Sequence, residues 1–302
     1  MPAGQPFTRL CEKLARPRTL GRADLHIHST SSDGTYTPAQ VVELARRSGL
    51  SAIAITDHDT TAGLTPAQAA ADNAPSPEVI AGVEITTEYA GRELHLLGYF
   101  FRADDAALQE ALQSLQSDRV GRFHEMIARL RQLGIHLPDE LLADIGKNGS
   151  LGRRNLAELL VQTGAAETVR EAFQRYLHDR GRAAVPKRRL PVADAIALVR
   201  GAGGVAAWAH PTYDCTEAAL TELRDLGLQA LEVDFPSCRP SRSRELRSWA
   251  VRFGMAVTGG SDCHGPEPAG RGIGTHGISA SEIAALRQLV SRDAESAERS
   301  AR

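Results

Sequence analysis

A chain of 302 residues with 42% hydrophobic and 24% charged content is long enough for one large α/β domain carrying an insertion, and its composition is that of a globular protein with a sizeable core. A formal net charge of −2 excludes a global field that would draw it to nucleic acid or to a membrane surface, and no run reaches the roughly 18 apolar residues of a membrane-spanning helix. The cysteines (Cys11, Cys215, Cys238, Cys263) form no CxxC pair, and MPAGQPFTRLCEKLARPRTLGR lacks the apolar stretch of a secretory leader, so the expectation is a soluble cytoplasmic protein with reduced thiols.

Residues 1–21, basic and proline-containing, read as a poorly ordered arm. A strand–helix rhythm then begins. Apolar strand-like runs fall at ADLHI (23–27), SAIAIT (51–56), EVIAGVEI (78–85) and ELHLLGYFF (93–101). Between the first two, Thr37-Pro38 predicts the start of a helix, PAQVVELARRSG, which Gly49 ends. From residue 104 to 180 the pattern is helical: Leu108, Leu112, Leu115, Val120, Phe123, Ile127 and Leu130 recur at helix spacing, and RNLAELLVQTG and ETVREAFQRYLHDRG follow as shorter helices. Strands resume at GGVAAWAHP (203–211), LQALEVDF (228–235) and GMAVTGGSD (254–262). Five segments result: an arm (1–21), a first barrel part (22–103), a helical insertion or cap (104–190), a second barrel part (191–281) and a C-terminal helix fraying into a charged tail (282–302). Short strands apolar on both faces, alternating with helices, predict an α/β fold with a parallel sheet, either a barrel or doubly wound.

The chemistry gathers near the strand ends. In DLHIHSTSSDG, His26 and His28 flank one residue, so on a strand both imidazoles point the same way, with Asp33 just beyond. The second strand ends in Asp57, His58 and Asp59; the third carries Glu84 and the fourth His95; the fifth ends in His210 and the seventh in Asp262-Cys-His264. Six of the ten histidines fall in this set, where barrel enzymes build their sites. Imidazoles and carboxylates without thiolates favour Mn²⁺, Fe²⁺ or Zn²⁺ in a catalytic site, and Glu84 can bridge two cations, a pairing at about 3.5–4 Å that suits phosphate-ester hydrolysis. Asp24 reads as a hydrogen-bonding scaffold residue, and one of Asp57 and Asp59 as a group orienting an imidazole. His124, His136, His178 and His276 read as surface residues.

The motifs DLHIHSTSSDG, ITDHDT, GVEIT, HLLGY, AWAHP and GGSDCHG occur in this order and closely resemble those of the PHP (polymerase and histidinol phosphatase) phosphoesterases, over about residues 22–275. The resemblance implies a distorted seven-stranded (β/α)7 barrel with an inserted helical subdomain. It also implies two or three divalent metal ions, Mn²⁺ foremost with Fe or Zn as alternatives. The ligands it implies are His26, His28, Asp33, His58, Glu84, His95, His210, Asp262 and His264. One metal would take His26, His28, Glu84 and Asp262, a second Glu84, His95 and His210, and a third Asp33, His58 and His264. The metals would activate water for in-line attack on phosphorus, with Asp262 or His264 as the proton shuttle and Glu84 between the cations.

Within the family the layout is similar to the branch that removes the 3′-phosphate of nucleoside 3′,5′-bisphosphates or degrades short 5′-phosphorylated RNA. That likeness makes Arg153 and Arg182 the expected substrate-phosphate contacts. The chain departs from the branch at Asn155 and Lys187, where histidines are expected, at Thr212-Tyr213 after His-Pro, and at Cys238. Residues 117–189 hold 14 Lys and Arg against 9 Asp and Glu, which fits either a solvated surface or a cap that gathers phosphates. Aromatic residues make up only 5%, too few to interleave a basic groove for long nucleic acid, so the expected partner is a small phosphorylated substrate. The competing functions are histidinol-phosphate phosphatase and, in a different class, a non-catalytic metal-binding regulatory protein.

Overall fold

The computed structural model describes residues 21–72, 76–142, 151–212, 215–266, 268 and 270–300. The expected arm, Gly21 apart, lies outside the described residues, as do Tyr213 and the last two residues of the tail. Seven longer strands coincide with the seven apolar runs: β1 (Arg22–Ile27), β2 (Ala52–Ile55), β3 (Glu78–Tyr89), β4 (Arg92–Tyr99), β6 (Val205–Trp208), β7 (Ala230–Asp234) and β8 (Ala256–Gly259). Two-residue strands β5 (Leu190–Pro191) and β9 (Ile278–Ser279) join them. The order is β8-β7-β6-β4-β3-β2-β1-β9, with β5 on β3. Ile27, the last residue of β1, pairs with Cys263 beyond β8, and the His28 N–H donates to the Cys263 carbonyl at 3.0 Å, so the sheet nearly closes into a barrel.

The sheet is mixed, where the sequence led us to expect a parallel one. β4 runs antiparallel to both β3 and β6. The cause is local. Only Ala90 and Gly91 separate β3 from β4, both at positive φ (50° and 76°), and a two-residue turn of this kind makes a hairpin rather than a crossover.

Helix α1 (Pro38–Arg47) begins at Thr37, whose side chain caps the backbone while Gln40 reaches back, and it buries Val41, Val42 and Ala45. α2 (Leu64–Ala71) follows β2. Leu25, Ala54, Ile80, Leu97, Tyr99, Val205 and Ala230 form a core shared by six strands. The Tyr99 hydroxyl within it donates to the Leu25 carbonyl at 2.9 Å.

α3 (Ala106–Gln132) has 27 residues, about 40 Å of helix. Its first half packs Leu108, Leu112 and Leu115 against β3, β4 and α6 (Val192–Gly201). Its second half packs Phe123, Met126, Ile127 and Leu130 into a separate core with Leu156, Leu160, Tyr176 and Val185. That core includes α4 (Arg153–Gln162), α5 (Val169–Ala172) and a five-residue π-helical turn, Phe173–Leu177. β5 returns the chain beside Thr87 and Glu88 of β3. α7 (Glu217–Asp225), α8 (Pro240–Phe253) and α9 (Ala280–Ser300) complete the order.

Candidate metal centre

The nine residues named from the sequence meet at one end of the barrel. Gly260, which follows β8, allows the end of that strand to touch β1, since a Cβ there would lie 2.3 Å from the His26 nitrogen. His26 and His28 are both fully buried. The turn that carries Asp33 is folded by Asp57, which accepts the Ser29 N–H and hydroxyl at 2.7 Å each and the Ser32 hydroxyl at 2.6 Å. Gly34 closes that turn where a Cβ would stand 2.5 Å from the His28 carbonyl. His58 follows β2 and pairs with Glu84 through an isolated bridge. His95 comes from the first half of β4, not from a strand's C-terminal end. The antiparallel register opposes it to Thr86, which puts it on the Glu84 face, because Thr86 and Glu84 are two apart. His210 and Asp262 sit at positive φ, 30° and 48°, as does Asp59 at 54°, so three non-glycine residues hold rarely populated backbone here.

Glu84 is the hub. His95 Nδ1 lies 2.9 Å, His210 Nε2 3.1 Å and His26 Nε2 3.5 Å from its Oε1; His58 Nδ1 lies 3.0 Å and His28 Nε2 3.3 Å from its Oε2. Asp262 Oδ1 stands 3.3 Å from His28 Nε2, and Asp33 Oδ1 stands 3.3 Å from His264 Nε2. Four clusters can each surround an ion: His28, Asp33, His58 and His264; His26, Glu84 and His210; His26, His28 and Asp262; His58, Glu84 and His95. His26, His28, His58 and Glu84 each belong to two of them.

The donor set fits divalent cations. Six buried polar atoms here lack a hydrogen-bond partner among the described residues: His26 Nε2, both nitrogens of His28, Asp33 Oδ1, His58 Nδ1 and Glu84 Oε2. Burying so many donors and acceptors unpaired is costly, and a cation with its water would satisfy them. Burial pushes the Glu84 carboxyl up, but the charges of His58, His95 and His26 outweigh it and hold it well below the usual range. Burial, with the neighbouring His264 charge, lowers His28 to about 3, which keeps its imidazole neutral as a ligand must be. Cys263, between Asp262 and His264, turns its thiol to the Gly265 carbonyl at 3.5 Å and stays out of the site.

Residues 24–177 match the PHP domain family. The chain belongs to that family. It is 31% identical over 261 residues to a 3′,5′-nucleoside bisphosphate phosphatase of Chromobacterium violaceum, covering 84% of this chain and 91% of the relative. To a 5′-3′ exoribonuclease of Haemophilus influenzae it is 33% identical over 251 residues, covering 80% and 90%. A crystal structure assigned as a metal-dependent phosphoesterase, from Bifidobacterium adolescentis, superposes with a TM-score of 0.80 at 31% identity, over 87% of this chain and 94% of that one. This PHP chain is accordingly a metal-dependent phosphoesterase with a nearly closed barrel-shaped sheet.

Two carboxylates that support the PHP centre escaped the sequence reading. Glu232, fully buried on β7, lies with Oε1 3.1 Å from His26 Nδ1, and its Oε2 accepts the backbone N–H of His210. Glu93 Oε1 lies 3.0 Å from His95 Nε2 and accepts from Lys187 Nζ at 3.1 Å, while its Oε2 accepts from Arg189 Nε at 2.8 Å. The available signals were a glutamate in the middle of the apolar run LQALEVDF and the Glu-x-His alternation in ELH.

The remaining residues sort by contact. Asp24 ties β1 to later loops by accepting the Ser261 N–H at 2.9 Å and the Gly274 N–H at 2.8 Å, a scaffold role. Among the described residues, neither Asp57 nor Asp59 hydrogen-bonds an imidazole. Asp59 accepts the Thr86 N–H at 2.7 Å and a hydrogen bond from Arg119. Arg271 donates to Asp262 Oδ2 at 3.0 Å. Asn155 holds the start of α4, accepting the Gly152 N–H at 2.9 Å, and Lys187 serves Glu93, so neither departure from the branch disturbs the centre. Arg153 donates to Asp179 at 2.6 Å and to the Leu177 carbonyl at 3.2 Å, and Arg182 is exposed. No hydrogen bond or ion pair joins either to the nine, among the described residues. Among the described residues, no helix is long and apolar enough to cross a membrane.

Proposed function

We propose that the chain removes the 3′-phosphate of nucleoside 3′,5′-bisphosphates or trims short 5′-phosphorylated oligonucleotides. The observation that carries this is Glu84, a buried carboxylate with imidazoles facing both oxygens and unpartnered buried atoms around it. His26, His28, Asp33, His58, Glu84, His95, His210, Asp262 and His264 would hold two or three divalent cations. The nitrogen- and oxygen-only donor set accepts Mn²⁺, Fe²⁺ or Zn²⁺, and the family resemblance puts Mn²⁺ foremost. When bound, such cations make a coordinated water acidic enough to attack near neutral pH and neutralise charge on the phosphoryl oxygens.

The chain's own groups supply the rest. Glu84 keeps an ionised carboxylate at the centre. Asp262, anchored by Arg271, and His264, anchored at Asp33, orient the ester, and one of the two passes the proton to the leaving alkoxide. Arg153 and Arg182, on the basic cap, would hold the second phosphate through planar guanidinium forks. The names of the C. violaceum and H. influenzae relatives support a nucleotide or short RNA as substrate.

The test is phosphate release by Mn²⁺-loaded protein from adenosine 3′,5′-bisphosphate, beside histidinol phosphate and a short 5′-phosphorylated RNA. Selective attack on the bisphosphate or the RNA is the expected result. Preference for histidinol phosphate would replace the substrate and keep the centre. Metal uptake without hydrolysis of any ester would instead indicate a regulatory metal-binding protein.

A further inference from the structure

A cavity of about 610 Å³ opens beside the metal centre. Its walls are loops that follow two neighbouring parallel strands: Pro211 and Thr212 after β6, then Phe235, Ser237 and Cys238 after β7, with Arg239 at the start of α8. Those are the strand ends from which the barrel presents His210, the residue before Pro211. Thr212 also lines a second cavity, of about 220 Å³, that reaches His95 and His210, so the metal centre and the larger cavity adjoin.

The chemistry of the walls differs from that of the cap. Arg242 lies in the wall but is already engaged. It donates to Glu245 at 2.7 Å and to the Thr212 and Cys215 carbonyls at 2.9 and 3.0 Å, and it stacks on Trp249 at 4.9 Å. Phe235, Pro211 and the half-buried Cys238 thiol make apolar surface, while Ser237 and Arg239 stand exposed at the rim. Ser237 holds φ 71°, so the loop keeps a fixed and unusual shape. The basic residues Arg119, Arg122 and Lys187 line a different cavity that shares no residue with this one. Apolar walls with a few polar groups at the mouth suit a neutral planar ring, and an exposed guanidinium can stack on one.

We propose that this cavity receives the base of the substrate nucleotide while its ester phosphate sits at the metal centre. The proposal rests on the nucleotide reading above. Binding there would set selectivity for nucleoside phosphate esters over bare sugar phosphates.

The test compares adenosine 3′,5′-bisphosphate with base-less 1-deoxyribose 3,5-bisphosphate on the Mn²⁺-loaded protein. The expected kcat/KM ratio is about tenfold or more in favour of the nucleotide, and Cys238→Trp, which fills the cavity, should bring it close to one through KM. A second readout needs no turnover and no variant: iodoacetamide alkylation of the Cys238 peptide, slowed by adenosine 5′-monophosphate but not by ribose 5-phosphate. Should Cys238→Trp fail to fold, this protection decides alone. Equal hydrolysis of both esters overturns the pocket and leaves the nucleotide reading standing. Protection without hydrolysis of either ester overturns that reading and supports the pocket. Neither hydrolysis nor protection overturns both.

Discussion

Nδ1 of His26 lies 3.1 Å from Oε1 of Glu232, a contact across 206 residues of sequence between two fully buried side chains. With Nδ1–H donated to the carboxylate, Nε2 is left bare toward Glu84 at 3.5 Å and Asp262 at 3.6 Å, the tautomer and aim a metal ligand needs. The other Glu232 oxygen takes the His210 N–H and so holds a second imidazole at its positive φ. Removing the charge with Glu232→Gln is expected to weaken Mn²⁺ binding about 10–100-fold, and Glu232→Ala to weaken it further. Calorimetric titration of metal into the stripped protein measures this directly. Unchanged affinity would mean that Glu232 serves packing alone.

That contact also marks the limit of what the sequence reveals. Alternation is local, so His26-x-His28 and Asp262-x-His264 could be read directly, and each long strand announced itself as an apolar run. Pairing of Glu232 with His26 depends on the sheet closing β8 onto β1, which leaves only one strand between β7 and β1 and which no local pattern encodes. The reversal of β4 was written in Ala90-Gly91, but a two-residue turn between apolar runs is easily taken for the gap between parallel strands. Asn155 and Lys187 looked like lost functional residues because only the folded chain brings Lys187 to Glu93 and Asn155 to the Gly152 N–H.

Glu84→Ala removes the one group that faces five imidazoles. Turnover is expected to fall by about a thousandfold or more, since the charge that organises the cations is gone. The β3–β4 ladder on which Glu84 sits is made by backbone pairs, so the far-ultraviolet circular dichroism of the metal-free protein should stay intact. Retained activity would remove Glu84 from the mechanism.

Arg182 and Arg153 separate binding from folding. Arg182 is exposed, so Arg182→Ala should change stability by no more than about 0.5 kcal/mol while raising KM for the bisphosphate about tenfold. KM for p-nitrophenyl phosphate, which has no second phosphate, should not move. Arg153→Ala also severs the Asp179 and Leu177 contacts, so its rise in KM should come with a lower melting temperature. If KM is unaltered in both variants, the second phosphate binds elsewhere.

Glu93 gives a pH-dependent prediction. Burial pushes its carboxyl up, but the His95 hydrogen bond, the Lys187 charge and the Arg189 hydrogen bond outweigh that and hold it well below its ordinary 4.5. The folded state therefore binds fewer protons than the unfolded state as pH falls below about 4.5, and stability drops with pH in that window. Above it the stabilisation is fully present. Wild type should therefore exceed Glu93→Gln in urea midpoint near neutral pH, by about 1–3 kcal/mol in free energy, and the gap should close as the pH falls below about 4.5. The comparison belongs in chelator, so that metal release does not add its own pH dependence. A gap that persists unchanged into acid would show that the carboxylate's charge contributes nothing, and that the β5 return segment is held to β4 by packing instead.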